Sequence, residues 1–216
     1  MTFKSSFLFC ARSAVIIFFA VALTLTACGT VVQPEGGPSS SPLPSPSSAS
    51  ATPTPSPTPS GAYRPADSTG KAENVPLPVL PEAAKANTKE GLEAFARYWF
   101  QALSYGYETG DMTALKQVTG PNCVFCNGLQ EAVGLAWADG KWIVGGQIET
   151  PVIEGKFTSG AESQQATIQV IHRSVAIHQP GGSLYQEPTK GSNRASQMVA
   201  KFGANGWTVI DLGLIR

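Results

Sequence analysis

The sequence predicts an α+β domain in the C-terminal part of the chain, with helices first and a curved, mostly antiparallel sheet after them. Three observations lead there. Apolar residues recur at three- and four-residue steps through Leu92, Phe95, Trp99 and Leu103. Beyond Asp139 the pattern changes to stretches rich in β-branched and aromatic residues, and Asn205-Gly206 stands inside the last of them as a hairpin turn signal. Helical segments followed by a run of strands give α+β rather than alternating α/β.

The elements follow in chain order. Thr88 is a helix-start residue, and the apolar stripe behind it predicts an amphipathic helix to about Glu108. A shorter helix fits "DMTALKQVT", with Asp111 as its cap, and a third fits "NGLQEAVGLAWAD". "KWIVGGQIETPVIEGKF", "QQATIQVIHRSVAIH" and "ASQMVAKFGANGWTVIDLGLI" supply about four strands.

Upstream the composition is different. Lys4 and Arg12 precede the uncharged run "AVIIFFAVALTLTA" from Ala14 to Ala27, which is shorter than the roughly 20 apolar residues of a spanning helix. A basic start, a short apolar core and small residues at its end make a secretory signal over residues 1–27. "LTAC" at its end resembles the bacterial lipobox, which implies acylation of Cys28 and cleavage before it. Membrane lipid is then the first partner, and the expected location is the extracytoplasmic face of the cell membrane.

Residues 28–80 read as a tether. "PSSSPLPSPSSASATPTPSPTPSG" lacks the apolar side chains that offset chain-ordering entropy, and proline extends such a segment by about 3.1 Å per residue. "YRPADSTGKAENVPLPVLPEAAKANTKEG" continues it as an extended lead-in, so a single domain is expected over 81–216. Removal of residues 1–27 takes away Lys4 and Arg12 and no acid, and leaves 13 basic against 15 acidic residues. A nearly neutral chain without a basic cluster is a poor nucleic-acid binder.

The order of one long helix, two short ones and then strands to the C-terminus resembles the cone-shaped fold named after nuclear transport factor two. The lipobox, the Ser/Pro tether, "RPADSTGKAENVPLPVLPEAAKANTKEGLEAFARYWFQALSYGYETGD" and "GPNCVFC" together resemble an uncharacterised family of actinobacterial lipoproteins, a domain of unknown function. That resemblance spans Arg64 to Arg216 and implies no catalytic residues.

Cys123 and Cys126, spaced Cys-x-x-Cys, admit three uses. Tetrahedral zinc needs two further ligands, and His172 and His178 lie far along the chain from them, so no metal is expected. Thiol–disulfide exchange suits a helix start, yet Val124-Phe125 between the cysteines brings no basic group. In an oxidising compartment each has only the other as partner, which makes a structural disulfide the expectation.

His172 and His178 are an even number of positions apart and would share a face of one continuous strand. Asp211 would share a face with Trp207 and Val209, and a pocket holding His172 with Asp211 would suit general acid–base work. His178 is expected in water at a strand end. Tyr98 and Tyr105, seven apart on the long helix, form a possible pocket or partner surface beside the core stripe. The expected function is therefore a binding module for an envelope protein or a small apolar ligand, with no cofactor. An extracytoplasmic enzyme working through His172 and Asp211, or through Cys123 and Cys126, is the competing class.

Overall fold

The structure is a computed structural model and describes residues 61–215. The expected signal peptide, Cys28 and the tether up to Ser60 lie outside the described residues.

Three helices precede the sheet: α1 (Lys89–Thr109), α2 (Thr113–Gln117) and α3 (Val124–Trp137). Thr88 caps α1 as its sequence position suggests, its Oγ1 accepting from the Gly91 amide at 3.0 Å. Gly110 ends the helix in the left-handed region at φ 78°, where a glycine carries no Cβ penalty. Asp111 accepts from the Thr113 amide at 2.8 Å and so holds the first turn of α2. α3 begins earlier than Asn127, because Cys123 is its N-cap and Cys126 lies within its first turn.

Seven strands follow: β1 (Trp142–Gly145), β2 (Ile148–Glu149), β3 (Ile153–Lys156), β4 (Gln164–His172), β5 (Val175–His178), β6 (Ser192–Gly203) and β7 (Gly206–Leu214). β2 and β3 both pair with β4, which continues through β6 to β7, every pairing antiparallel. β1 and β5 form a separate antiparallel pair. The β6–β7 turn is centred on Ala204 and Asn205, one residue before the Asn-Gly signal, with Gly206 at φ 88° pairing with Gly203. The architecture is α+β, cone-like, with helices on one face of an antiparallel sheet.

The core is where the stripe of α1 meets that face. Leu92, Phe95, Trp99 and Leu103 are buried against Ile168, Met198, Val209 and Leu212. Each such side chain contributes about 1.5–3 kcal/mol on burial. The two indoles at the core find polar partners: Trp99 Nε1 donates to Thr119 Oγ1 at 2.9 Å, and Trp207 Nε1 to the Ala86 carbonyl at 3.0 Å.

The folded unit starts before the expected boundary at residue 81. Residues 61–80 hold no helix or strand, but they are not a plain extended lead-in: 64–73 folds back on itself through the antiparallel bridges Arg64–Glu73 and Asp67–Gly70, and the segment is docked, with Trp142 Nε1 donating to the Asp67 carbonyl at 2.8 Å and Tyr63 donating to Glu108 at 2.7 Å. These attachments are mostly polar, which is why a scan for apolar periodicity passes over them.

Candidate functional site

The inward face of the sheet and two helices enclose a cleft of about 120 Å³. β4, β6 and β7 supply Val170, Ser196 and Leu212; α1 supplies Phe100, Leu103 and Tyr107; α3 supplies Phe125 and Leu129. Phe125 and Leu214 stand at its rim, 40% and 49% exposed. Arg194 also reaches the cleft from β6 and, among the described residues, has no ion-pair partner. A second cleft of about 170 Å³ lies beside the first, lined by Val133, Ile143, Val175 and Ile177.

Tyr107 and His172 belong to both clefts and form their common wall, ring centroids 4.9 Å apart and planes 67° apart. The backbone corner at Gly145-Gly146 shapes this wall. Gly146 has φ 78°, and a Cβ there would fall 2.9 Å from the Tyr107 ring, so only glycine allows so close an approach. Burial holds the His172 imidazole below its ordinary 6.5, against a smaller opposing effect of its hydrogen bond to the Gly146 backbone. Its Nε2 is enclosed and has no hydrogen-bond partner among the described residues. Leaving such an atom unpaired costs about 1–3 kcal/mol. Burial likewise raises the Tyr107 hydroxyl above its usual value.

The residues singled out in the sequence are not brought together as expected. The stretch around the histidines breaks at Arg173-Ser174, so His172 ends β4 while His178 ends β5 in the other sheet. His178 is buried rather than in water, stacked on Trp142 at 5.7 Å, with Nδ1 2.8 Å from the Gly182 carbonyl. Asp211 is exposed on the opposite face from the cleft. A β-bulge causes this: Ala200 pairs with Val209 but Val199 with Asp211, so Ile210 is the extra residue and Leu212 takes the inward position. His172 and Asp211 therefore make no acid–base pair.

Cys123 and Cys126 are bonded to each other, with Cα atoms 5.3 Å apart, and both are 0% exposed. A thiol–disulfide exchange partner has no approach to sulfurs so enclosed. What the bridge does is local: it ties the first turn of α3, and with it Phe125 at the cleft rim. Among the described residues no group of three or more His, Cys, Asp or Glu side chains is arranged to hold a metal ion.

Tyr98 is 6% exposed and belongs to the interior, so it offers no free partner surface. Tyr105 lies elsewhere, on an open groove of about 490 Å³ between α1 and the docked lead-in, with Tyr63, Pro76 and Leu77. Phe125, Leu129, Arg194 and Leu214 were not legible as site residues. Phe125 lies between the two cysteines and so was the one with a nearby signal.

Residues 61–213 match DUF6318, a family of unknown function. The chain belongs to this family. A comparison with curated proteins returns no match. Among solved structures, the intermembrane-space region of the chloroplast protein ARC6 is 9% identical at TM-score 0.42, covering 59% of this chain and 96% of that one. A cystatin-like domain of unknown function from Nostoc punctiforme is 14% identical at TM-score 0.37, covering 60% and 79%. A chain with NTF2 in its name is 13% identical at TM-score 0.32, covering 56% and 96%. No residue role in DUF6318 is carried over from these likenesses, and the cleft stands on its own geometry.

Proposed function

We propose that this DUF6318 protein is an actinobacterial-type lipoprotein, anchored by acylated Cys28 on the extracytoplasmic face of the cell membrane. Its Ser/Pro tether presents a binding domain whose ligand site is the cleft beneath Phe125 and Leu214. Support for the anchor is the sequence alone: a basic start, a short apolar run and "LTAC". Two or more acyl chains hold a protein stably where one is marginal. The family match begins at residue 61, just after the low-complexity stretch, which is the arrangement of a tether followed by a working domain.

The observation that carries the binding reading is an apolar, ring-lined cleft with an unpartnered polar atom in its wall. Ligand sites combine mostly apolar walls with a few placed polar groups. The cleft is of the size of an engineered cavity of about 150 Å³ that admits benzene. The ligand is accordingly a small apolar molecule.

Each half has its test. Intact mass of membrane-extracted protein should begin at Cys28 with acyl chains added; an unmodified, soluble product that is unchanged by Cys28→Ser removes the anchor. For the cleft, Ser196 is buried on its floor, and Ser196→Leu should fill it. Benzene should raise the Tm of the wild type and leave the folded variant unmoved; an equal response in both places the ligand elsewhere.

A further inference from the structure

Of the arginines among the described residues, all but one are held by the protein. Arg64 pairs with Glu73 at 2.8 Å, Arg173 pairs with Glu149, and Arg97 donates to the Thr150 carbonyl at 2.7 Å. Arg194 is exposed and has no ion-pair or hydrogen-bond partner among those residues. Strand alternation sets its direction. Arg194 shares a face of β6 with Ser196, Met198 and Ala200, all buried, so it stands on the inward face of the sheet. β7 ends at Leu214, opposite Ser196, so at Arg194 the strand has Val170 of β4 on one side and no paired strand on the other. A guanidinium is thereby set at the open end of the core-facing sheet surface, in the lining of the cleft.

An unpaired cation at the mouth of an apolar cleft selects for charge as well as shape. Arg194 is the only Lys, Arg, Asp or Glu in the lining, so no protein carboxylate there balances it. Its planar fork matches a carboxylate, which accepts two parallel N–H bonds. One cation balances one negative charge, which suits a monocarboxylate better than a phosphate dianion. The floor suits the other end of the ligand. Phe100, Leu103, Leu129 and Leu212 are apolar, and about 120 Å³ takes a body of about the size of benzene. An ionised group at that floor would lose its water without gaining a partner, whereas at exposed Arg194 it keeps both. We propose that the cleft binds a benzoate-class anion, with its ring against Phe100 and Leu212 and its carboxylate at the mouth on the Arg194 guanidinium. Resting on the cleft being a ligand site, this assignment adds the sign of the ligand's charge and its orientation.

The test uses the chain from residue 28, with Cys28→Ser so that no acyl chain competes. The probes are benzoate, benzamide and benzamidine, which share one flat shape and are anionic, neutral and cationic at neutral pH. Amide shifts of Phe125, Leu129 and Leu214 read binding at the cleft. Benzoate should bind roughly fivefold or more tightly than benzamide, with benzamidine weakest. Added salt should narrow that preference. Arg194→Gln, checked for folding by its melting profile, should abolish the preference and leave the affinity for benzamide in place. Arg194→Lys, which keeps the charge and loses the fork, should restore part of it. Equal affinities for benzoate and benzamide, a preference that survives in folded Arg194→Gln, or binding of benzene alone overturns the anion assignment and leaves the cleft as a plain apolar site. Failure of all three probes and of benzene to shift those residues in the folded wild type overturns the cleft itself.

Discussion

Removing the Cys123–Cys126 bridge tests how α3 and the cleft rim are held. The loop it closes is short, with a sequence separation of 3. The chain-entropy relation for about four residues gives roughly 2 kcal/mol, less than the about 3 kcal/mol of a fifteen-residue loop. Both sulfurs are fully buried, so Cys123→Ala with Cys126→Ala also forfeits packing, on the order of 1 kcal/mol for each sulfur. The two contributions separate experimentally. Wild type unfolded and refolded in reductant, so that the enclosed sulfurs are reached, loses only the loop closure, and the double variant loses both. For a domain of this size 1 kcal/mol shifts the Tm by about 2–4 °C, so reduction should lower it by roughly 4–8 °C and the double variant by roughly 10 °C. Melting followed by circular dichroism, with and without reductant, reads both. A reduced protein melting within about 1 °C of the oxidised one would refute the staple. Loss of cooperative unfolding would show instead that the whole fold depends on the bridge, contrary to its local placement.

Three further outcomes follow from the structure. His172 is held below its ordinary 6.5, so the unfolded chain binds its proton first, and stability should fall as pH drops below about 6.5 and level off once the folded value is passed. His172→Phe should therefore flatten the Tm between pH 7 and 5. Tyr98→Ala should destabilise by about 3 kcal/mol or more and Tyr105→Ala by less than about 1 kcal/mol, measured by urea unfolding; comparable losses would contradict their assigned places. Tyr63 is pushed up to about 12 by its partial burial and then by Glu108, so its phenol should be absent from the tyrosines ionising near pH 10 in an ultraviolet titration, and Glu108→Gln should return it toward them.

The fold was legible where burial imposes a period. α1 announced itself through Thr88 and the spacing of Leu92, Phe95, Trp99 and Leu103, because a helix packed on a sheet needs that stripe. β6 and β7 were legible through alternation and the turn between them. The site was not legible, because it depends on interruptions that no residue type marks. Arg173-Ser174 contains neither glycine nor proline, yet the chain changes sheets there and parts His172 from His178. Ile210 looks like any strand residue, yet the bulge at that point sends Asp211 outward and Leu212 inward. The lead-in is anchored by Tyr63 and Asp67 through hydrogen bonds to Glu108 and Trp142, and polar docking leaves no periodic trace. The cysteine pair was legible as a bridge, and its consequence for Phe125 needed the packing of α3.

The central claim is that the cleft beneath Phe125 and Leu214 is a ligand site. Its most direct test is chemical-shift mapping of the chain from residue 28 titrated with benzene. Saturable shifts should gather on Phe125, Leu129, His172, Leu212 and Leu214 and leave Tyr105 and Leu77 in place. Shifts that never saturate, or that gather along the groove between α1 and the lead-in, would contradict it.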